Sequence, residues 1–453
     1  MKILSINITG LYGYLNKDIT FNDDINLIVG INGSGKTSIL NLINWMLLPS
    51  IPELCLTEFQ SVELIIKYNG KTIKLRSTQD NGILYYFVDV YDAAKEQATD
   101  RSEASHQKLN PLRTVIKHSG KVFPVGSAKR QEALKEYDKL LPDDSEVETW
   151  QYLVGLPKPL IIGLERDLVR KDSVANKYIV GEKPESEKIS ANSLASLAFR
   201  EYQVKILSLN NMLKDKLLRS AFEPLGKVVS SNPMPSSPPI SLLEIQQLEA
   251  RVVNYIGSSF APRLAHQILA NTRSYFGSIK IWIKKYEENL LIGDESNKSD
   301  FLYQIMQYER IKKLIVHFEE HESLSAKAYT HIKEFLFSVN KLMADSEKEL
   351  FFERRKMEIA FKIKNSETAR SIECLSSGEK QLVILFTHLC FNRGNVFIID
   401  EPELSLHPKW QAEILNEFIK LIPKETQLIM ATHSAALVGK NVQYCKVLYP
   451  YNS

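Results

Sequence analysis

Eight residues near the N-terminus constrain this chain more than any other feature. Gly30-Ile31-Asn32-Gly33-Ser34-Gly35-Lys36-Thr37 matches G-x-x-x-x-G-K-[ST] in full. The motif follows Ile25 to Val29, an apolar run suited to a strand buried on both faces. It precedes Ser38 to Leu48, which carries apolar residues at helical spacing until Pro49 stops the pattern. Glycines let backbone N–H groups curl around phosphate oxygens, and the helix N-terminus that follows favours negative charge. Lys36 is placed to reach the β- and γ-phosphates of a nucleotide, and the Thr37 hydroxyl to ligate Mg²⁺. Asn32, Gly33, Ser34, Gly35 and Ser38 complete the candidate cradle. A strand, loop and helix in this order call for an α/β fold.

Three later segments supply what such a loop lacks. Val396-Phe397-Ile398-Ile399-Asp400-Glu401-Pro402 is an apolar run ending in two carboxylates. Four apolar residues in a row suit a parallel strand covered on both sides, and its carboxyl end is where ligands bind in open α/β sheets. Asp400 is placed to hold Mg²⁺, directly or through water, and Glu401 to orient and polarise an attacking water. Alone, an acidic pair is explained equally well by a helix-entry turn; the phosphate loop is what favours chemistry. Leu375-Ser376-Ser377-Gly378-Glu379-Lys380-Gln381 opens a helix, with Ser376 or Ser377 as N-cap and Glu379 in the first turn. Ala431-Thr432-His433-Ser434 follows a further strand, Gln427 to Met430.

Taken in order, these segments resemble the ATP-binding-cassette superfamily. LSSGEKQ is similar to its LSGGQ signature and lies shortly before the acidic strand, while Ala431 to Ser434 is similar to its switch-histidine segment. Asp400-Glu401-Pro402-Glu403-Leu404-Ser405-Leu406-His407-Pro408 resembles the DEPE-x-x-LHP form of OLD-like ATPases and their RecF and Rad50 relatives, and transporter cassettes usually read differently there. Tyr12-Gly13-Tyr14 between two strands is similar to the same group. The resemblance covers about residues 1–90 and 355–440. It implies a head that binds ATP and Mg²⁺, with Glu401 and His433 catalytic. It also implies that Ser376, Ser377 and Gly378 of one copy complete the site on the phosphate loop of another, in a head-to-tail dimer. Gln60 stands at a tolerable position for the glutamine loop, but a surface glutamine is the preferred reading. Leu160 to Arg166 resembles a strand ending in Glu-Arg in related ATPases.

Residues 59–91 alternate and are broken by Asn69-Gly70 and Asn81-Gly82, the hairpin dipeptides, so an antiparallel meander is expected. From about Asp92 to Pro142 the chain turns polar and basic, with Lys108, Arg113, Lys117, Lys121, Lys129 and Arg130. A solvated excursion is favoured there over a nucleic-acid patch, because aromatic platforms are few. The segment 191–350 reads as a helical insertion, a short coiled coil at most, interrupted by the Pro- and Ser-rich stretch 230–239. Two helices end it, one carrying Phe301 to Phe318 and one carrying Leu324 to Leu342. At ~1.5 Å per residue such an arm reaches ~40 Å. The expected architecture is thus a P-loop ABC-type head in two halves, 1–190 and 351–453, with the antiparallel meander as a lobe and the helices 191–350 inserted.

Composition narrows the setting. With 57 Lys+Arg against 54 Asp+Glu, the net charge of +3 withdraws the general argument for a nucleic-acid or membrane-surface protein and leaves only local patches. Four cysteines without CxxC spacing suggest neither a zinc site nor a disulfide framework, and so a reducing cytoplasm. Neither a signal-peptide core nor an apolar run of the ~18 residues that span a bilayer is found. The longest apolar run, Leu382 to Phe391, reads as a buried helix. The sequence shows no acidic cluster of the Toprim nuclease found in OLD proteins. By resemblance to stand-alone ATPases of anti-phage systems of the Septu, PARIS or retron type, ATP-gated dimerisation is expected to control a separate effector, such as a nuclease. The alternative is a RecF-like repair ATPase that binds DNA directly through the 101–139 stretch and the head surface.

Overall fold

The structure, a computed structural model, describes residues 1–92, 106–118, 121, 123–125, 127–137, 142–162, 168–169, 188–189, 191–222, 241–259, 262–288, 295–353, 356–366, 368–392 and 396–449. The Glu165-Arg166 end of the strand at Leu160 and the 230–239 stretch lie outside these residues. Two compact units are present, one built from Met1–Phe199 with His331–Ser453 and the other from Arg200–Thr330.

The first unit, the head, holds two principal sheets. One is antiparallel: β1 (Lys2–Leu11), β2 (Leu15–Thr20), β4 (Ser61–Tyr68), β5 (Lys71–Asp80) and β6 (Ile83–Asp92) run in the order β2-β1-β4-β5-β6. The expected meander is there, and both turns place Asn and Gly at positive φ: Asn69 48° with Gly70 75°, Asn81 49° with Gly82 75°. Two left-handed residues in succession match the right-handed twist of the strands they join. The 92–142 stretch is more than a solvated excursion. Its β7 (His106–Lys108) and β8 (Leu112–Val115) both pair with β6, and two short helices follow, α3 (Ala128–Lys135) and α4 (Val147–Gly155).

The second sheet is parallel and carries the motifs. β17 (Cys445–Val447), β3 (Ile25–Val29), β16 (Gln427–Thr432), β15 (Val396–Asp400) and β9 (Leu160–Ile162) lie in that order. Ile28 pairs with Ala431, and Ala431 with Asp400, so the carboxyl ends of β3, β16 and β15 finish level. One face of this sheet shares a core with the antiparallel sheet through α1 (Lys36–Leu47) and the short α2 (Ile51–Cys55): Ile28, Ile39, Ile43, Val396, Ile398 and Ile429 are buried in one cluster. The intervening residues Phe397, Ile399, Leu428 and Met430 are buried as well, as expected of strands covered on both faces. α9 (Ser377–Phe391) and α10 (Pro408–Leu421) pack Phe386 on Phe418 with ring centroids 5.0 Å apart. The run from Leu382 is thus the buried helix its composition called for. A three-stranded sheet of β12 (Lys348–Glu353), β13 (Glu358–Ile363) and β14 (Arg370–Ser371), the two-residue pair β10 (Leu168–Val169) and β11 (Lys188–Ile189), and α11 (Ala435–Val438) complete the described elements of the head.

The second unit is helical. α5 (Ala191–Phe222), α6 (Leu242–Ser259), α7 (Pro262–Glu287) and α8 (Glu295–Met343) supply it, α5 and α8 continuing beyond its bounds. Ile245, Leu248, Phe276, Ile279, Ile283 and Ile315 form its core, and Arg251–Glu319 and Lys280–Glu249 ion pairs lie beside it. Sequence periodicity divides α8 into two helices, but the structure runs it as one of 49 residues. His321-Glu322-Ser323-Leu324-Ser325-Ala326 contains neither Gly nor Pro, so nothing breaks the hydrogen-bond ladder between the two apolar stripes. Up to Thr330 the helix is ~54 Å long at 1.5 Å per residue, beyond the ~40 Å reach expected of the insertion.

Candidate functional site

The phosphate loop joins β3 to α1. Gly33 and Gly35 adopt φ 84° and 90°, conformations that a side chain opposes, and a Cβ on Gly35 would lie 2.6 Å from Leu15 Cδ2. Lys36 is 6% exposed and its Nζ donates to the carbonyls of Gly30 (2.8 Å) and Ile31 (3.0 Å), which holds the loop closed around the ammonium. Asn32 and Thr37 are exposed, Ser34 is buried and Ser38 half-buried. Tyr12, at φ 53°, brings its Oη within 3.2 Å of Ser38 Oγ, so the Tyr12-Gly13-Tyr14 segment borders the loop.

β16 places the switch segment, and β15 the carboxylates, beside this loop. Burial pushes the Asp400 carboxyl above its ordinary value; a hydrogen bond from Thr37 and the Lys36 charge pull it down, and Glu401 and Glu403 push it up again. The net effect is upward, the balance that a bound divalent cation would reverse. Asp400 Oδ1 and Ser34 Oγ are buried without a hydrogen-bond partner. An orphaned carboxylate oxygen fits a hard cation such as Mg²⁺, and an orphaned hydroxyl with a buried ammonium and a Thr hydroxyl fits the donor set for a triphosphate. Glu401 sits at φ 48°, its N–H held by the Ala431 carbonyl at 2.9 Å, and its Oε1 lies 3.4 Å from His433 Nδ1. Lys36, Thr37, Asp400, Glu401 and His433 are therefore brought to one end of one sheet.

Ser376, Ser377 and Gly378 are placed differently. Ser376 is the N-cap of α9, in a reciprocal capping box: its Oγ accepts from Glu379 N and its N–H donates to Glu379 Oε2 at 2.8 Å. Burial raises the Glu379 carboxyl, but hydrogen bonds from Lys348 and Ser376 outweigh it and hold the group below its ordinary value. Ser376 and Ser377 are exposed, and Gly378 is buried against Ser405, whose carbonyl oxygen would lie 2.5 Å from an added Cβ. Lys348, Ser405 and Trp410 lie beside this helix end. Gln60 is exposed at the start of β4, its side chain lying over Gly10.

Four residues without an expected role join these segments. Gln381 Nε2 donates to the Pro402 carbonyl at 3.1 Å, which ties the signature helix to the acidic turn. Glu403 is 3% exposed and reaches the switch segment, and Gln411 accepts from Ser434 Oγ at 2.7 Å. The sequence signal for Glu403 was its place in the DEPE form. Gln411 carries none, since its meeting with Ser434 of the switch segment depends on how α10 returns across β16.

A family model described as "AAA domain" matches residues 5–216, and one described as "AAA domain, putative AbiEii toxin, Type IV TA system" matches 258–439. Each model takes in less than half of the chain, and the two together mark an AAA-type P-loop ATPase domain within it. The chain is 36% identical over 75 residues to a "Putative ABC transporter ATP-binding protein" of Bacillus cereus and 39% identical over 67 residues to the lipoprotein-releasing system ATP-binding protein LolD of Rickettsia conorii. These matches take in 16% and 15% of this chain, and 13% and 30% of the two relatives. Among solved structures it is similar to the Smc head domain of Pyrococcus furiosus bound to the C-terminal domain of ScpA, at 15% identity and a TM-score of 0.34 over 96% of this chain and 91% of that one. The SMC head domain of Thermotoga maritima is similar at 12% identity and a TM-score of 0.32, over 97% and 91%. No described helix is long and apolar enough to cross a membrane.

Proposed function

We propose that the chain is an ATP-gated switch: it binds and hydrolyses ATP with Mg²⁺, pairs head to tail with a second copy through the nucleotide, and thereby controls a separate effector. One observation carries the reading, the convergence of Lys36, Thr37, Asp400, Glu401 and His433 at the level ends of β3, β15 and β16. The loop N–H groups and Lys36 bind the phosphates, Lys36 exchanging its two carbonyl partners for phosphate oxygens. Thr37 and Asp400 would hold Mg²⁺, which supplies positive charge against the charge that develops on the phosphoryl oxygens. Glu401 accepts a hydrogen bond from the attacking water and polarises it. His433, its Nδ1 turned to the carboxylates, keeps Nε2 for the γ-phosphate. The exposed, capped start of α9 at Ser376 and Ser377 offers helix N–H groups to the γ-phosphate of the partner copy.

A role in a defence system draws support from the family description matched over 258–439 and from the LSSGEKQ and DEPELSLHP forms. Direct DNA binding through the basic 101–139 stretch loses one of its cations, because Arg130 is 3% exposed and bonded inside the head. The test is ATP turnover together with ATP-dependent association. Glu401→Gln is expected to slow hydrolysis and accumulate an ATP-bound dimer, whereas Ser376→Arg is expected to bind nucleotide and stay monomeric. Hydrolysis at the parent rate by Glu401→Gln, or ATP-dependent pairing by Ser376→Arg, would overturn the corresponding assignment. What co-purifies with the chain in ATP and Mg²⁺ tests the effector.

A further inference from the structure

The third carboxylate of the acidic turn does something the first two cannot. Asp400 ends β15 and bonds with Thr37 of the loop, and Glu401 follows it beside His433; Glu403 lies two residues beyond Glu401, buried, and turns toward β16. Its Oε1 accepts three hydrogen bonds from consecutive residues of the switch segment: from Thr432 Oγ1 at 2.6 Å, His433 N at 2.9 Å and Ser434 N at 3.2 Å. The same oxygen lies 3.4 Å from His433 Nδ1, which stands equally far from Glu401 Oε1. One oxygen thus holds the backbone on both sides of the histidine and lies close to one nitrogen of its ring.

We infer that Glu403 is a positioning residue for ATP hydrolysis, fixing the backbone and the ring direction of His433 against Glu401. This rests on the ATPase reading of the same site. Three donors on one acceptor are a directional constraint that packing alone does not give, and a charged acceptor makes each bond stronger. The backbone around Glu403 is itself held. Leu406 N–H donates to its carbonyl at 3.0 Å, and Gln381 holds the Pro402 carbonyl from the signature helix. Gln411 ties α10 to the Leu406 carbonyl at 3.0 Å and to Ser434. A shift of the signature helix therefore has a hydrogen-bonded route to the histidine, by way of Pro402 and Glu403. The position asks for an acceptor oxygen at Oε1. Glutamine supplies one of the same length, and alanine supplies none.

The experiment is a double-mutant cycle on ATP turnover, with nucleotide affinity measured separately by titration of a fluorescent ATP analogue. Glu403→Ala is expected to lower kcat by ~10- to 100-fold, the scale of displacing a reacting geometry by about an ångström, with nucleotide affinity close to the parent. Glu403→Gln is expected to recover most of the loss. In a His433→Ala background, Glu403→Ala should cost little more, because the two act through one group. A Glu403→Ala loss of equal size with and without His433 overturns the inference, as does a Glu403→Gln loss as deep as that of alanine. If Glu403→Ala does not fold, Glu403→Gln decides: a kcat loss of ~10-fold or more that persists unchanged in the His433→Ala background refutes it. Absence of any ATP turnover by the parent chain would instead defeat the ATPase reading and is seen in the first control.

Discussion

Arg130 offers the sharpest test of how the head is held together. Its guanidinium donates from Nε (2.9 Å) and Nη2 (2.7 Å) to Glu53 Oε2, from Nη1 to the carbonyls of Leu56 (3.2 Å) and Phe123 (2.9 Å), and from Nη2 to Thr57 Oγ1 (2.9 Å), with the ring of Trp45 5.3 Å away. Arg130→Ala removes every one of these donors and leaves the mostly buried Glu53 carboxylate without its cation. Breaking a buried pair from one side costs about 3–5 kcal/mol. Spread over the ~320 residues of the head, an unfolding entropy of ~2.1 cal/mol/K per residue makes ~0.7 kcal/mol equivalent to 1 K, so the melting temperature should fall by ~4–7 °C. Arg130→Lys keeps the charge but loses the planar fork, and should fall in between. Differential scanning calorimetry reads the shift, and DNA-binding titrations against salt provide the control. A melting temperature within ~1 °C of the parent, with DNA affinity and its salt slope reduced, would refute the reasoning and return Arg130 to a surface patch.

Other substitutions probe the site itself. Gly33→Ala and Gly35→Ala both force an L residue into the left-handed region, at about 1–2 kcal/mol, but only at Gly35 does the new methyl also strike Leu15. Titration of an ATP analogue should therefore show Gly35→Ala as the weaker binder, and equal affinities would contradict the loop geometry. Gly378→Ala brings its Cβ against the Ser405 carbonyl, and should cost about 1–3 kcal/mol of overpacking with faster amide exchange across 401–406; unchanged exchange there would argue against that contact. Burial lowers the His388 imidazole from 6.5 to about 4. The folded state then stays neutral while the unfolded state takes up a proton around and below 6.5, so stability should drop by about 1.6 kcal/mol from pH 6.5 to 5. In His388→Leu that part of the slope should vanish, which urea midpoints at the two pH values will show.

Motifs whose chemistry is local were legible in the sequence. The glycine loop, the apolar strand before Asp400, the Asn-Gly turns and the capping box at Ser376 depend on neighbours within a few residues, and the structure carries each of them. Sequence alone leaves Arg130 among the surface cations because its partners, Glu53 and Leu56, lie more than seventy residues back. The strands at His106 and Leu112 have no local signal for a related reason: they are short, polar and mostly exposed, and only pairing with β6 makes them strands. The break assumed within α8 came from reading a change of apolar stripe as a change of helix. The role of Glu403 depends on β16 arriving beside β15, which no local pattern announces.

The level ends of β3, β16 and β15 also set an order of assembly during synthesis. β3 emerges first, yet both of its partners in the sheet, β16 and β17, are made some four hundred residues later. At ~5–20 residues per second the phosphate-loop strand waits ~20–80 s on the ribosome with its edges unpaired. Ile3, in the first strand made, likewise gives its N–H and its carbonyl to Gln427. During that interval the nascent chain carries the loop sequence without the carboxylates that complete it, and exposes an apolar strand that other chains can capture. A head built this way cannot complete its nucleotide site until β16 and β17 have been made.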